Sequence, residues 1–207
     1  MSTSYGHSGK GIHGVSEATL IEQCQQGNMQ AFDELMARYE SRVYNIAYRL
    51  LGDTEDAYDI AQETFLRVYR ALSRFRGHST LHTWIHRIVV NLCLDEIKKK
   101  RRRPNLVQET WPDEEEATGS LIERLPDETA DPEAWTLSRE RQLIVRQAIA
   151  SLPPHHRAVL VLFDLEGMAY QEIAEVLKIN IGTVKSRLNR ARLALKEKLE
   201  PYRELFE

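Results

Sequence analysis

Apolar residues recur every three or four positions along most of this chain, and the breaks in that rhythm divide it. A first helical segment is predicted at residues 17 to 26. A longer one follows from 30 to 50, with Phe32, Leu35, Met36, Tyr39, Val43, Ile46, Ala47 and Leu50 on one stripe. Gly52 ends it, and Asp53 or Thr54 supplies the cap of the next helix, which turns Ala57, Ile60, Ala61, Thr64, Phe65, Val68 and Leu72 inward. That leaves Asp56, Asp59, Gln62, Glu63 and Arg67 outside. Phe75, Arg76 and Gly77 interrupt the pattern, and Ser79 or Thr80 caps a further helix that carries Trp84, Ile85, Ile88, Val89 and Leu92 inward.

The rhythm then lapses. Residues 104 to 135 contain four prolines and no lasting periodicity, although Leu121, Ile122 and Leu125 suit a short docked turn. Periodicity resumes in a helix predicted over 135 to 151 through Leu137, Leu143, Ile144, Ala148 and Ile149. Pro153 and Pro154 start another over 155 to 165, with Ala158, Val159, Leu162 and Phe163 in its buried band.

Residues 170 to 192, YQEIAEVLKINIGTVKSRLNRAR, predict a short helix, a tight turn and a second helix. Ile173, Ala174 and Leu177 share a stripe bordered by Val176, and the turn falls at 178 to 181. Asn180 can cap the second helix, whose Val184, Leu188, Ala191 and Leu195 pack while Lys185, Arg187, Arg190 and Arg192 lie mostly off that stripe. This is a helix-turn-helix, which sets its second helix in a DNA major groove. The predicted fold is all-α: two small helical domains, 17–103 and 136–207, joined by a flexible acidic linker, 104–135, with the helix-turn-helix in the second.

Charge sharpens this division. The 207 residues carry a net charge of -3 and 42% hydrophobic content, enough for real cores. The total hides segregation: residues 1 to 103 hold 15 bases and 12 acids, 104 to 138 one base and ten acids, and 139 to 207 12 bases and nine acids. An acidic tether between two basic bodies is expected to keep them from collapsing on each other or on DNA without a third surface to order them. No apolar run approaches the roughly 18 residues of a membrane span, and the N-terminus lacks a secretion signal, so a cytoplasmic protein without membrane insertion is expected. Cys24 and Cys93 form no CxxC pair or ligand cluster, which predicts buried free thiols.

Two stretches carry candidate chemistry. Lys98, Lys99, Lys100, Arg101, Arg102 and Arg103 end a helix with more cations than its dipole requires, and each can neutralise a phosphate. Beside a glycine-containing loop with Phe75, they suit single-stranded or melted DNA, where an extruded base needs a pocket. Trp84 has core packing as its first duty; Phe75 is open to either role. In the helix-turn-helix, residues 180 to 200 hold six bases and two acids. Thr183, Lys185, Ser186, Arg187 and Asn189 are the candidates for base edges, with Arg187 and Arg190 equally suited to phosphates. The outer face with Asp56, Asp59, Gln62 and Glu63 fits either a basic partner or plain solvation. His78, His82 and His86 share a four-residue spacing but lack a fourth ligand, which favours a polar face near DNA or protein over a metal. Enzyme motifs such as HExxH, GxxxxGK[ST] or a nucleophile elbow are absent, so neither an enzyme nor a cofactor is expected.

Residues 53 to 77, DTEDAYDIAQETFLRVYRALSRFRG, with 79 to 103, STLHTWIHRIVVNLCLDEIKKKRRR, resemble sigma domain 2 of the extracytoplasmic-function sigma factors. Residues 152 to 195, LPPHHRAVLVLFDLEGMAYQEIAEVLKINIGTVKSRLNRARLAL, resemble their sigma domain 4. The resemblance implies a dissociable subunit that directs RNA polymerase to promoters and assists melting, in a stress or envelope response. It implies that Asp56, Asp59, Gln62 and Glu63 grip the core polymerase. Phe75, Arg76, Gly77, His78, Ser79, Thr80 and Asn91 would read the minus-ten element and capture its flipped base, with Arg87 and the basic run on the backbone. The helix bearing Thr183, Lys185, Ser186, Arg187, Asn189 and Arg190 would read the minus-thirty-five element, and an apolar groove around Leu160 and Phe163 would meet the polymerase flap. An anti-sigma factor is the implied further partner. Two departures stand out: Ala169 replaces the usual Ser or Thr cap, and Lys178 and Ile179 replace a glycine turn, with Gly182 the expected source of compensating freedom. An autonomous helix-turn-helix regulator is the alternative, but the chain shows neither an effector motif nor a dimerising heptad pattern.

Overall fold

A computed structural model describes residues 15–102 and 132–206, and these are helical nearly throughout. In the first body α1 spans Glu17–Gln25, α2 Met29–Ala37, α3 Glu40–Leu51, α4 Thr54–Leu72 and α5 Leu81–Arg102. In the second, α6 spans Pro132–Ala150, α7 Pro154–Leu160, α8 Tyr170–Leu177 and α9 Ile181–Leu199, followed by a 3₁₀ segment, Glu200–Leu205. Arg103 and the acidic joint, with the turn expected at Leu121, Ile122 and Leu125, lie outside the described residues.

The predicted caps are made. Asp53 accepts from the Asp56 N–H at 2.8 Å, Thr80 from Thr83 at 3.1 Å and Asn180 from Thr183 at 2.7 Å. Gly52 ends α3 in the left-handed region, φ 79°. The long helix expected over 30 to 50 is instead two. Its stripe is unbroken, but the chain turns at Tyr39, whose ring is buried and whose hydroxyl donates to Glu17 at 2.6 Å. A tertiary hydrogen bond, rather than a glycine or proline, marks that break. The helix expected over 155 to 165 likewise changes character, because α7 widens into a π turn over Val161–Leu165.

In the helix-turn-helix the buried stripe of α8 runs through Ile173 and Val176, with Leu177 only half-buried. Ala169 offers no side-chain cap, yet Glu172 accepts from the Ala169 N–H at 2.9 Å and makes one half of a capping box. Gly182 does not loosen the turn: it lies inside α9. Lys178 itself takes the left-handed conformation, φ 53° and ψ 48°. Leu143, expected inside, is exposed at 47%, since α6 presents Ala148 and Ile149 to the core instead.

The two bodies do not stay apart. Helix α5 packs on α3 and α4 and also on α7 and α8, while α3 touches α6, α7 and the π turn. One continuous core runs from Leu20 to Ala191. Helix periodicity explains how α5 serves both sides: Ile85, Val89 and Leu92 share one buried face, and Thr83, His86, Val90 and Leu94 lie on the opposite one. The expected repulsion by the tether is therefore overcome by apolar burial, supplemented by polar contacts between the bodies.

A lysine in the left-handed region costs about 1–2 kcal/mol; glycine there would give back about 0.5–1 kcal/mol of that as chain entropy. Lys178→Gly is expected to raise stability against urea by about 0.5–1 kcal/mol. An unchanged or lower midpoint would show that the Lys178 side chain stabilises the turn in some other way.

Candidate nucleic-acid interface

The loop after α4 and the first turns of α5 line a shallow, partly open cavity. It measures about 280 Å³ and is lined by Ala71, Arg74, Phe75, Arg76, His78, Ser79, Trp84 and Arg87. That is just below the roughly 300–1,000 Å³ of drug-sized sites, which suits a single planar ring. Phe75 lies against Trp84 with ring centroids 5.1 Å apart. Trp84 is thus only half-buried and lines the cavity as well as packing. Gly77, φ 71°, sharpens the loop. Thr80 is exposed and serves as the cap of α5. Asn91 is exposed one turn beyond Arg87. The sequence did not single out Ala71 and Arg74; their positions one turn and one residue before Phe75 were the available signal.

The basic end of α5 is largely internally paired. Lys98 contacts Asp95 at 3.2 Å, Lys99 contacts Glu96 at 2.9 Å, and Lys100 pairs with Asp56 of α4. These are exposed pairs, worth about 0–1 kcal/mol each, and phosphates can displace them. Arg101 and Arg102 are exposed. On α4, Asp59 and Gln62 are exposed, whereas Asp56 and Glu63 are half-buried, Glu63 pairing with Arg67 at 2.7 Å. The same surface carries an apolar stripe absent from the sequence expectation: Tyr58, Leu66 and Tyr69 are 58%, 49% and 50% exposed, and with Gln62 they recur at helical spacing. Exposed apolar groups concentrated on one face mark a docking surface more than a solvated one.

On α9, Lys185, Ser186, Asn189 and Arg190 are exposed, and Thr183 and Arg187 are half-buried. The Thr183 hydroxyl donates to Asn180 at 2.9 Å, so it takes part in the cap, and the Ser186 hydroxyl donates to the Thr183 carbonyl at 3.1 Å. A ring ladder fixes the helix. Phe163 stacks on Tyr170 with centroids 4.8 Å apart, Lys185 lies 5.7 Å from the Tyr170 centroid, and Arg192 lies 5.2 Å from that of Phe163 while pairing with Asp164. Leu160 is buried and Phe163 half-buried in this packing, so the apolar groove expected around them is largely filled.

The three histidines do not share one face: His78 lines the cavity, and the other two lie elsewhere. His78 sits exposed in the loop, while His82 and His86 stack at 3.9 Å between the two bodies. Among the described residues no group of three or more His, Cys, Asp or Glu could hold a metal. His86 is fully buried: its Nδ1 meets the His82 carbonyl at 2.8 Å, and its Nε2 is 3.7 Å from Glu166, too far for a hydrogen bond. Glu166 also accepts from Arg49 of α3 at 2.9 Å, Thr83 lies 3.4 Å from Glu172, and Arg157 reaches the Leu50 carbonyl. Nothing local announces these pairs, since Arg49 and Glu166 are 117 residues apart. Of the two thiols expected to be buried, Cys93 is, and desolvation pushes it up to about 12, whereas Cys24 is only half-buried.

Closure also gathers the cations of both bodies. The imidazole of His155 is held below its usual range by partial burial and then by Arg187, Lys98 and Arg101. Cations of α9 and of the basic end of α5 thus act on one imidazole. No helix among the described residues is long and apolar enough to cross a membrane.

Residues 35–103 match the family described as Sigma-70 region 2, and residues 142–195 match Sigma-70, region 4. The chain is similar to the RNA polymerase sigma-H factor of Pseudomonas aeruginosa, 36% identical over 182 residues that cover 88% of this chain and 93% of that protein. It is also similar to the ECF RNA polymerase sigma-E factor of Escherichia coli, 36% identical over 189 residues, 90% of this chain and 96% of the relative. Among solved structures, CnrH in complex with the cytosolic domain of CnrY shares the fold, with TM-score 0.64, 23% identity and coverage of 89% of this chain and 97% of that one. So does the sigma factor RpoE in complex with the anti-sigma factor NepR from Bartonella quintana, with TM-score 0.61, 22% identity and coverage of 82% and 96%.

Two outcomes follow for the closed arrangement. Glu166→Ala removes a carboxylate bonded to Arg49 and is expected to weaken closure by about 1–3 kcal/mol, read as a fall in energy transfer between fluorophores on α1 and α9; unchanged transfer would contradict the role of Glu166. The His82 proton affinity is lowered by burial, then by His86 and Arg42, against a smaller opposite pull from Glu172 and Glu166. An imidazole depressed in the closed state keeps its full contribution above its open-state value and loses it progressively as pH falls from that value through the lower closed-state one. Energy transfer should therefore hold above about pH 6.5 and drop as pH falls below it, and His82→Gln should flatten that change.

Proposed function

The chain belongs to the extracytoplasmic-function (group 4) sigma factors of the sigma-70 superfamily, and from that membership we propose how its surfaces divide the work of promoter recognition. As a sigma factor it directs RNA polymerase to promoters; nucleotidyl transfer belongs to the polymerase. Residues 17–103 serve as domain 2, 136–207 as domain 4, and 104–135 as the linker.

The observation that carries this reading is the cavity beside Phe75 and Trp84. Five of its eight lining residues, Phe75, Arg76, His78, Ser79 and Arg87, are among the minus-ten residues proposed from the sequence, and they cluster at one end of α5. A base flipped from the minus-ten element enters there, against aromatic faces that contribute about 1–3 kcal/mol per stacked base. Asn91 and Arg87 line the approach, and the cations from Lys98 to Arg103 hold the backbone. Melting is then differential binding: the open strand offers an extruded base and the duplex does not. On α9, Thr183, Lys185, Ser186, Arg187, Asn189 and Arg190 take the minus-thirty-five element.

Core polymerase binds through Asp56, Asp59, Gln62 and Glu63 of α4, joined by Tyr58, Leu66 and Tyr69. Apolar anchors framed by acids give such a contact both affinity and orientation. The same exposed surface suits an anti-sigma factor, the partner in the RpoE complex, because a competitor needs only to cover it.

Closure makes the polymerase necessary. Elements about 25 base pairs apart are separated by on the order of 80 Å of duplex, whereas closed α5 and α9 bring their cations into one neighbourhood. Residues 103 to 131 have a contour length of about 95 Å, enough for the bodies to separate. Core polymerase holds them in register, so that two weak contacts act as one binding event.

Transcription from a promoter library, with core polymerase and with or without the chain, tests the whole reading; equal regulation without core polymerase would favour an autonomous regulator. Asn91→Ala and Arg187→Ala should each cost about 1–3 kcal/mol at single positions, the first in the downstream element and the second in the upstream one. Identical loss patterns would refute the division. Leu66→Glu should weaken core binding at least about tenfold with helicity unchanged, and wild-type affinity would remove the apolar stripe from the interface.

A further inference from the structure

Gln25 is the last residue of α1 and lies at the surface, remote in sequence from the cavity. Its amide nitrogen donates to the Phe75 carbonyl at 2.9 Å and to the Leu72 carbonyl at 3.3 Å. Leu72 is the last residue of α4, where backbone carbonyls lose their partners in the helix. The Leu72 carbonyl also accepts from the Phe75 N–H at 3.0 Å. One side chain from a neighbouring helix therefore joins both ends of the segment that turns out of α4. Its partners are backbone atoms, so the bond constrains the path of the chain rather than one rotamer.

That path sets the cavity. Phe75 begins the loop through Arg76 and Gly77, and its ring faces Trp84 across the wall. Local backbone bonds, Arg74 N–H to the Ala71 carbonyl and Phe75 N–H to the Leu72 carbonyl, fix the turn only as far as Phe75. Beyond it Gly77 has the left-handed backbone that permits several loop paths. Gln25 does not line the cavity. We propose that Gln25 is a positioning residue for base capture: by holding the Phe75 carbonyl it keeps the Phe75 ring and the following loop in the geometry that accepts a planar base. The inference rests on the reading of the cavity as a base site, and it adds α1 to the machinery of strand capture.

The chemistry specifies which replacements matter. Glutamate has the shape of glutamine but, when ionised, presents only acceptors to two carbonyl oxygens. Lysine restores a donor, and a cation is favoured at the C-terminus of a helix such as α4. The experiment uses polymerase holoenzyme assembled with the full chain and two fluorescent single-stranded oligonucleotides of a minus-ten element, one intact and one abasic at the captured position. Wild-type holoenzyme should prefer the intact strand. Gln25→Glu should lose about tenfold in affinity for it while its affinity for the abasic strand stays at the wild-type level, and Gln25→Lys should restore the preference. A purely structural role would lower both affinities together, because an ill-folded domain also loses its phosphate contacts. Such parallel loss, or an unchanged Gln25→Glu preference, overturns the proposal for Gln25. Equal binding of the two strands by wild-type holoenzyme overturns the base-site reading itself.

Discussion

Helix α5 is buried on two opposite faces, and the arrangement of both bodies depends on it. Ile85, Val89 and Leu92 complete the core of the first body, while Thr83, His86, Val90 and Leu94 form the face toward the second. A small bundle normally buries one stripe of each helix and leaves the other in water. Here the second stripe is also buried, apolar at Val90 and Leu94 and polar at Thr83 and His86, and exposing its apolar part costs about 25 cal/mol for each Å². Closure follows when nothing else covers that stripe. The polar pairs then select the docking geometry, because Arg49, His86 and Glu166 meet in only one arrangement.

The same helix carries both of the sites proposed for domain 2. Its first two turns, with Trp84 and Arg87, line the cavity, and its last turns carry Lys98 to Arg102. At 1.5 Å per residue these ends lie about 30 Å apart on a single rigid rod. The sites proposed for base capture and backbone binding are thus held in fixed register on one helix. Domain 4 achieves its rigidity differently. Its short helices are locked by the Phe163 and Tyr170 stack, by the Arg192 and Asp164 pair, and by a left-handed Lys178 that sets the angle between α8 and α9.

Closure and the proposed promoter contacts draw on one surface. In the closed arrangement Lys98, Arg101 and Arg187 all act on His155, so cations of both bodies come within electrostatic reach of one imidazole. On the proposed reading, a polymerase that engages the apolar stripe of α4 and spreads the two bodies separates those cations, and must offset the exposed face of α5.

Much of this was legible in the sequence, for physical reasons that are local. Caps at Asp53, Thr80 and Asn180, the stop at Gly52 and the two cationic helices depend on residues within one or two turns of each other, and short-range periodicity encodes them directly. The grouping of Phe75, Arg76, His78, Ser79 and Arg87 around one cavity was legible too, because a loop and the helix after it are adjacent in the chain. The break at Tyr39, the half-exposed Trp84, the exposed stripe of Tyr58, Leu66 and Tyr69, and the filled groove at Phe163 were not. Each depends on which neighbour a face meets, and a helical stripe records that a residue packs without recording against what. The sequence by itself determined the helices, their caps and the segregation of charge. Only the tertiary structure decided that α5 has two partners, that Gln25 holds Phe75 and that Glu166 joins Arg49, since those contacts bring together residues dozens to more than a hundred positions apart, and their geometry exists only once the helices have packed.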